Sequence, residues 1–379
     1  MSRDVTSKDA LSYDGKREDL LTNPPVRVLV VDDSAFMRTA ISRMIASESD
    51  FKVVAAASSG AEALDRIAVL DPDVVTLDVE MPGLNGLDTL REIMTRFPRP
   101  VIMVSSATEK DADATFTALG AGAFDYVPKQ LSSTSLDILH IQSDLIAKIR
   151  AAACSRRRPD SASPGKKPPH SWQEELDTDL PSVQIVAIGT STGGPKALQE
   201  ILPILPRDLS VPVLIVQHMP AGFTAPFAQR LNTLCSVPVR EATHHESIQT
   251  GVIYIAPAGV HMTVVRASDS SAMLSLNGQP ENSLHKPSVD VMMKSVAKTY
   301  GASAMGVIMT GMGSDGAEGM QAIHRHGGLT LGQDESTCIV YGMPRACAEM
   351  GVLSRVVPLS RIPAQILKAT HYRDHVRGA

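Results

Sequence analysis

The chain has 379 residues, 43% of them hydrophobic and 20% charged, with a net charge of −5 and four cysteines. That length fits two domains, each large enough to bury a core, and the charge offers no electrostatic footprint for nucleic acid. Cys154, Cys235, Cys338 and Cys347 form no C-x-x-C pair, which argues against a zinc site or a disulfide framework and suits a reducing cytoplasm; no apolar run approaches the ~20 residues of a membrane span.

Residues 1–25 are polar and read as a disordered extension. Over residues 26–145 strand and helix patterns alternate. Apolar runs at Val26 to Val31, Phe51 to Ala56, Val74 to Leu77, Val101 to Val104 and Phe124 to Val127 predict five strands, with helices at Ala35 to Ala46 and Gly60 to Leu70. Such alternation predicts a parallel sheet covered on both faces. Asp32, Asp33, Asp78, Ser105 and Lys129 all follow strands, so they converge at the carboxyl edge of the sheet, where ligands bind in open α/β folds. Crowded carboxylates need a cation, and oxygen ligands favour Mg²⁺. The set makes sense if Asp78 accepts a phosphoryl group whose charge the metal and Lys129 stabilise.

Asp32-Asp33, Asp78 with Met81-Pro82-Gly83-Leu84-Asn85-Gly86, Ser105, and Tyr126-Val127-Pro128-Lys129 resemble the receiver domain of response regulators. The resemblance implies a flavodoxin-like fold, with Asp78 as the phosphorylation site and Asp32, Asp33 and Asp78 at Mg²⁺. It also implies that Ser105 and Lys129 contact the phosphoryl group and that Tyr126 is an aromatic switch. Receivers usually place proline after the lysine; here it is Gln130.

Residues 146–182 shift to Pro, Ser and charge, with Arg156-Arg157-Arg158 followed by Ser161 to Pro169, and read as a flexible linker. Residues 183–370 read as a second α/β domain. Ile185 to Ile188 predicts a strand ending at Gly189-Thr190-Ser191-Thr192-Gly193, which fits the G-x-S-x-G nucleophile elbow. A phosphate-cradling turn has the same glycine content, so this pattern alone leaves both open. A strand at Val211 to Val216 ends at Gln217-His218, and one at Ala304 to Met309 ends in the loop that carries Asp315. Val252 to Ala256 and His261 to Val265 predict an antiparallel hairpin, and Val289 to Tyr300 an amphipathic helix.

Ser191, His218 and Asp315 thus all lie just past strand ends. Serine needs a base to take its proton, and a carboxylate fixes the tautomer of that base. Two local roles compete with this one: His218 as a satisfied strand-end histidine, and Asp315 as a helix N-cap. The order Ser, His, Asp differs from that of α/β-hydrolases. His244-His245-Glu246 is a poor metal site, because adjacent strand residues point to opposite faces.

Ile188 to Gly194, Gln217-His218-Met219-Pro220, His285-Lys286-Pro287-Ser288-Val289-Asp290 and Met309 to Gly316 resemble the catalytic domain of chemotaxis protein-glutamate methylesterases. The resemblance implies a doubly wound α/β domain with Ser191, His218 and Asp315 as the triad. Thr192 and Met312 match positions near the oxyanion site, and Tyr254, Ala256 and Pro257 a segment lining the crevice. Implied too are demethylation of glutamyl esters, and deamidation of specific glutamines, on chemotaxis receptors, giving sensory adaptation. The implied partners are those receptors and a chemotaxis histidine kinase as phosphodonor, with no nucleic acid and no membrane insertion. No cofactor is expected in the esterase domain, and a cytoplasmic location is expected. The alternatives are a phosphorylation-driven binding module and a small-ester hydrolase.

Overall fold

The structure, a computed structural model, describes residues 24–106, 108–129, 135–157, 182–266 and 271–371. The first domain runs β1 (Val26–Val31), α1 (Ala35–Ala46), β2 (Phe51–Ala57), α2 (Gly60–Leu70), β3 (Val74–Asp78), α3 (Gly86–Arg96), β4 (Val101–Ser105), α4 (Glu109–Gly120), β5 (Asp125–Pro128) and α5 (Ser135–Arg157). Its five strands are parallel in the order β2-β1-β3-β4-β5, the flavodoxin-like arrangement. Every residue of β3, β4 and β5 is buried, which is why these strands read as unbroken apolar runs rather than alternating ones. Ser34, Ser59 and Asn85 cap α1, α2 and α3 by accepting a backbone N–H three residues on, which starts each helix one residue past its strand-end loop.

The first domain extends beyond the expected boundary at residue 145. Helix α5 continues to Arg157, because Ile146, Ile149, Ala152 and Ala153 keep a helical spacing and bury against Val28, Val30 and Phe51. The charged residues that follow masked this periodicity. The rest of the expected linker, 158–181, and the N-terminal extension through residue 23 lie outside the described residues.

The second domain runs β6 (Ile185–Thr190), α6 (Gly194–Ile201), β7 (Val213–Gln217), α7 (Thr224–Leu234), β8 (Val239–Glu241), β9 (Ile253–Ile255), β10 (His261–Arg266), β11 (Ala272–Asn277), α8 (Val289–Tyr300), β12 (Ala304–Ile308), α9 (Ala317–Arg325), β13 (Leu329–Gln333), α10 (Met343–Glu349), β14 (Arg355–Val357) and α11 (Ile362–Ala369). Seven strands form a parallel sheet in the order β14-β13-β12-β6-β7-β9-β8. The chain order reverses between β6 and β12, so the crevice for a ligand opens at their carboxyl ends.

The expected hairpin is re-paired. β9 belongs to the main sheet, parallel to β7 and β8, and β10 pairs antiparallel with β11 instead. Tyr254 drives this: its ring is fully buried and its hydroxyl accepts from Gln249 N at 3.0 Å, which anchors β9 within the core.

The two domains share one apolar cluster, from Leu77, Phe116 and Tyr126 in the first to Ile188, Phe223 and Phe227 in the second. Phe116 on α4 lies 4.9 Å from Phe227 and 6.3 Å edge-on from Phe223, both in the second domain. These aromatic contacts join the two domains across an apolar seam.

Candidate active site

Three strand ends meet at the reversal of the second sheet. Ser191 follows β6, and its N–H donates to Thr310 O at 3.0 Å, tying the end of β6 to the end of β12. His218 follows β7, and its N–H donates to Thr190 O at 3.2 Å. The Gln217 amide brackets both, with Nε2 donating to Ser191 O and His218 O, each at 3.0 Å. Gly194 makes room for that amide, since a Cβ there would meet Gln217 Oε1 at 2.0 Å. Gly311 is required in the same way, because its Cβ would fall 2.9 Å from Ser191 Cβ.

His218 Nε2 bonds Asp315 Oδ2 at 2.8 Å, and both side chains are largely buried. Asp315 does not cap α9, whose N-cap is Gly316. It lies instead at the N-terminus of α8, where it accepts from Ser288 Oγ at 2.9 Å, Val289 N at 2.7 Å and Asp290 N at 3.0 Å. Burial pushes the carboxyl up, but His218 and these N–H groups outweigh it and hold Asp315 well below the ordinary carboxylate range. A carboxylate at Nε2 makes Nε2 the protonated nitrogen, so Nδ1 carries the lone pair. Nδ1 is buried without a hydrogen-bond partner, and among the described residues no hydrogen bond joins it to Ser191 Oγ.

Thr192 is buried and Met312 is 37% exposed. Among the described residues neither N–H is bonded to an acceptor. Tyr254 does not line this crevice, because its whole side chain is enclosed in the core.

The carboxyl edge of the first sheet holds the other predicted set. Ligand oxygens of Asp32, Asp33 and Asp78 lie within 4.8 Å of one another. Lys129 Nζ reaches Asp32 Oδ2 at 3.0 Å and Asp78 Oδ2 at 2.5 Å, and among the described residues neither oxygen has any other partner. Burial raises the Asp78 carboxyl to about 6 despite Lys129, while the two carboxylates hold Lys129 above its ordinary value. Ser105 Oγ turns away, towards Ser106 O at 3.1 Å and Asp111 O at 3.3 Å.

Two family models match this chain: one described as CheB methylesterase, over residues 186–366, and one described as response regulator receiver domain, over residues 28–139. The protein-glutamate methylesterase/protein-glutamine glutaminase of Lawsonia intracellularis is 43% identical, covering 91% of this chain and 99% of that protein. The chain belongs to the protein-glutamate methylesterase family. The protein of the same name from Bacillus subtilis is 44% identical over 90% of this chain and 97% of its own length. The crystal structure of the Thermotoga maritima CheB methylesterase catalytic domain is 36% identical, covering 49% of this chain and 98% of that one, with a TM-score of 0.48.

In this methylesterase-family chain the receiver reaches the hydrolase site. Asp125, at the start of β5, accepts from Gly193 N at 3.0 Å, two residues past Ser191. Lys148, flanked by Asp125 and Asp144, is held above its ordinary value and stays charged. Tyr126 lies 4.9 Å from Phe223, with its hydroxyl buried and, among the described residues, unpartnered. Sequence reading missed Asp125, because its partner lies 68 residues away; it missed the roles of Gln217 and Ser288, because they act on Ser191 and Asp315, 26 and 27 residues away.

Proposed function

We propose that Ser191 is the nucleophile, His218 the general base and Asp315 its orienting carboxylate. The chain is a phosphorylation-regulated protein-glutamate methylesterase/protein-glutamine glutaminase of chemotactic adaptation. The observation that carries the assignment is the 2.8 Å bond between Asp315 and His218 Nε2, which leaves Nδ1 without a hydrogen-bond partner among the described residues. Ser191 Oγ attacks the glutamyl carbonyl as Nδ1 takes its proton. The N–H groups of Thr192 and Met312 receive the oxyanion. His218 then gives the proton to the leaving methoxide, or to the leaving amine of a glutamine. Water, deprotonated by the same nitrogen, releases the glutamate.

The substrate in this reading is the helical cytoplasmic region of a chemotaxis receptor, met in the cytoplasm, and the phosphodonor is a chemotaxis histidine kinase. Among the described residues no helix is long and apolar enough to cross a membrane. Receiver domains are phosphorylated with the help of Mg²⁺, and the residues here fit that ion: two buried carboxylate oxygens meet only Lys129. Asp32, Asp33 and Asp78 would hold it, and when bound it supplies positive charge against the incoming phosphoryl group. Ser105 and Lys129 would contact that group. Ser105 would give up its bonds to Ser106 O and Asp111 O to do so.

Regulation follows as occlusion. Asp125 on Gly193 N, together with Phe116 and Tyr126 against α7, would hold the receiver over the site until Asp78 is phosphorylated. The test is methanol release from methylated receptor membranes by wild type and Ser191→Ala, each with and without Mg²⁺ and a small phosphodonor. Release by wild type, faster with phosphodonor and absent in the variant, is the expected result. Equal release by both proteins would remove Ser191 from the mechanism.

A further inference from the structure

The segment from His285 to Asp290 touches both partners of the catalytic pair. Its far end clamps Asp315 through Ser288 Oγ, Val289 N and Asp290 N. Its near end lays the His285 ring on His218, with centroids 4.0 Å apart and planes 18° from parallel. The segment is itself pinned from behind. Lys286 O accepts from Gly259 N at 3.0 Å, and Ser288 N donates to Nδ1 of the buried His261 at 3.2 Å.

We propose that His285 is a positioning residue for the esterase reaction, its ring fixing the plane in which His218 presents Nδ1 to Ser191. The inference rests on the triad reading above. His218 has one ring hydrogen bond, at Nε2, and a ring held at one point still pivots about that bond. Such a pivot swings Nδ1 away from the serine while leaving the bond to Asp315 intact. A flat partner in contact with one face removes that freedom. The partner must also be neutral, because a cation against this face would oppose the imidazolium that forms during attack. The charged groups facing His285 are His218, Asp315 and, across the seam, Asp144 of α5. Burial and His218 push the His285 ring down to about 4, so it is uncharged at neutral pH.

The experiment uses the full-length protein, phosphorylated with a small phosphodonor and Mg²⁺ and assayed on methylated receptor membranes. His285→Ala is expected to lower kcat by ~10–100-fold, the scale of a base displaced by up to an ångström, with KM within about twofold of wild type. His285→Phe restores a flat neutral partner and is expected to recover kcat to within about threefold, with the pH profile of kcat/KM unchanged from pH ~5 to ~9. Wild-type kcat in His285→Ala would overturn the proposal. So would a His285→Phe enzyme as slow as His285→Ala, an effect confined to KM, or a displaced acid limb. If His285→Ala fails to fold, the His285→Phe rate and pH profile still decide. Ser191→Ala runs alongside: activity retained there sinks the triad, whereas activity lost there and kept in His285→Ala sinks only the role of His285.

Discussion

Truncating Phe116 to alanine is expected to switch the enzyme on without phosphorylation. The ring is wholly buried, and two of its three aromatic neighbours, Phe223 and Phe227, belong to the other domain. Burying a phenylalanine is worth about 1.5–3 kcal/mol, and aromatic pairs add about 0.5–1.5 kcal/mol. Assigning the cross-domain share of both to the closed arrangement gives about 2 kcal/mol, or roughly a 30-fold shift of the closed-to-open ratio. Methanol release without phosphodonor should therefore rise by up to roughly 30-fold, with the rate of phosphorylated wild type as its ceiling. Phosphorylation of Asp78 by a small phosphodonor serves as the control that the receiver still folds. A folded, phosphorylatable Phe116→Ala protein with the basal rate of wild type would refute occlusion through this seam.

Three other outcomes follow from the site. Asp315→Asn removes the carboxylate that sets the protonated nitrogen of His218, so kcat should fall by ~10³–10⁴-fold with receptor binding retained; a loss under tenfold would contradict the assignment. Gly194→Ala places a Cβ 2.0 Å from Gln217 Oε1 and 2.4 Å from Thr190 Oγ1, so it should cost about 1–3 kcal/mol of stability and at least tenfold in kcat, read by urea unfolding and methanol release. Stability should also depend on pH through His285, whose folded value lies near 4 against an ordinary 6.5. The folded protein resists that proton and the unfolded chain takes it, so the contribution is full above pH ~6.5 and is lost as pH falls towards ~4, by at most about 3 kcal/mol. Urea midpoints of wild type should drop across that window more than those of His285→Phe, and equal slopes would contradict it.

Local signals and long-range ones separate cleanly in this molecule. Helices α1, α2 and α8 are legible residue by residue, because caps, turn residues and a 3.6-residue apolar period all lie within a few positions of each boundary. The strand ends that carry Asp78, Ser191 and His218 are legible for the same reason, since a buried parallel strand is an apolar run that stops at its polar end. From those positions the sequence alone puts Asp78, Ser191 and His218 at the carboxyl edges of the two sheets, and the motifs around them point to the family, but it does not single out Asp125, Gln217 or Ser288. What it cannot decide is pairing. Whether β10 takes β9 or β11 as its partner depends on where Tyr254 is buried, which no period reveals. The nitrogen of His218 that faces Asp315, the ring of His285 on its face and the carboxylate of Asp125 on Gly193 N are likewise tertiary facts. Each joins groups between 67 and 97 positions apart, and contacts at that separation are set by how whole sheets pack, not by propensity along the chain.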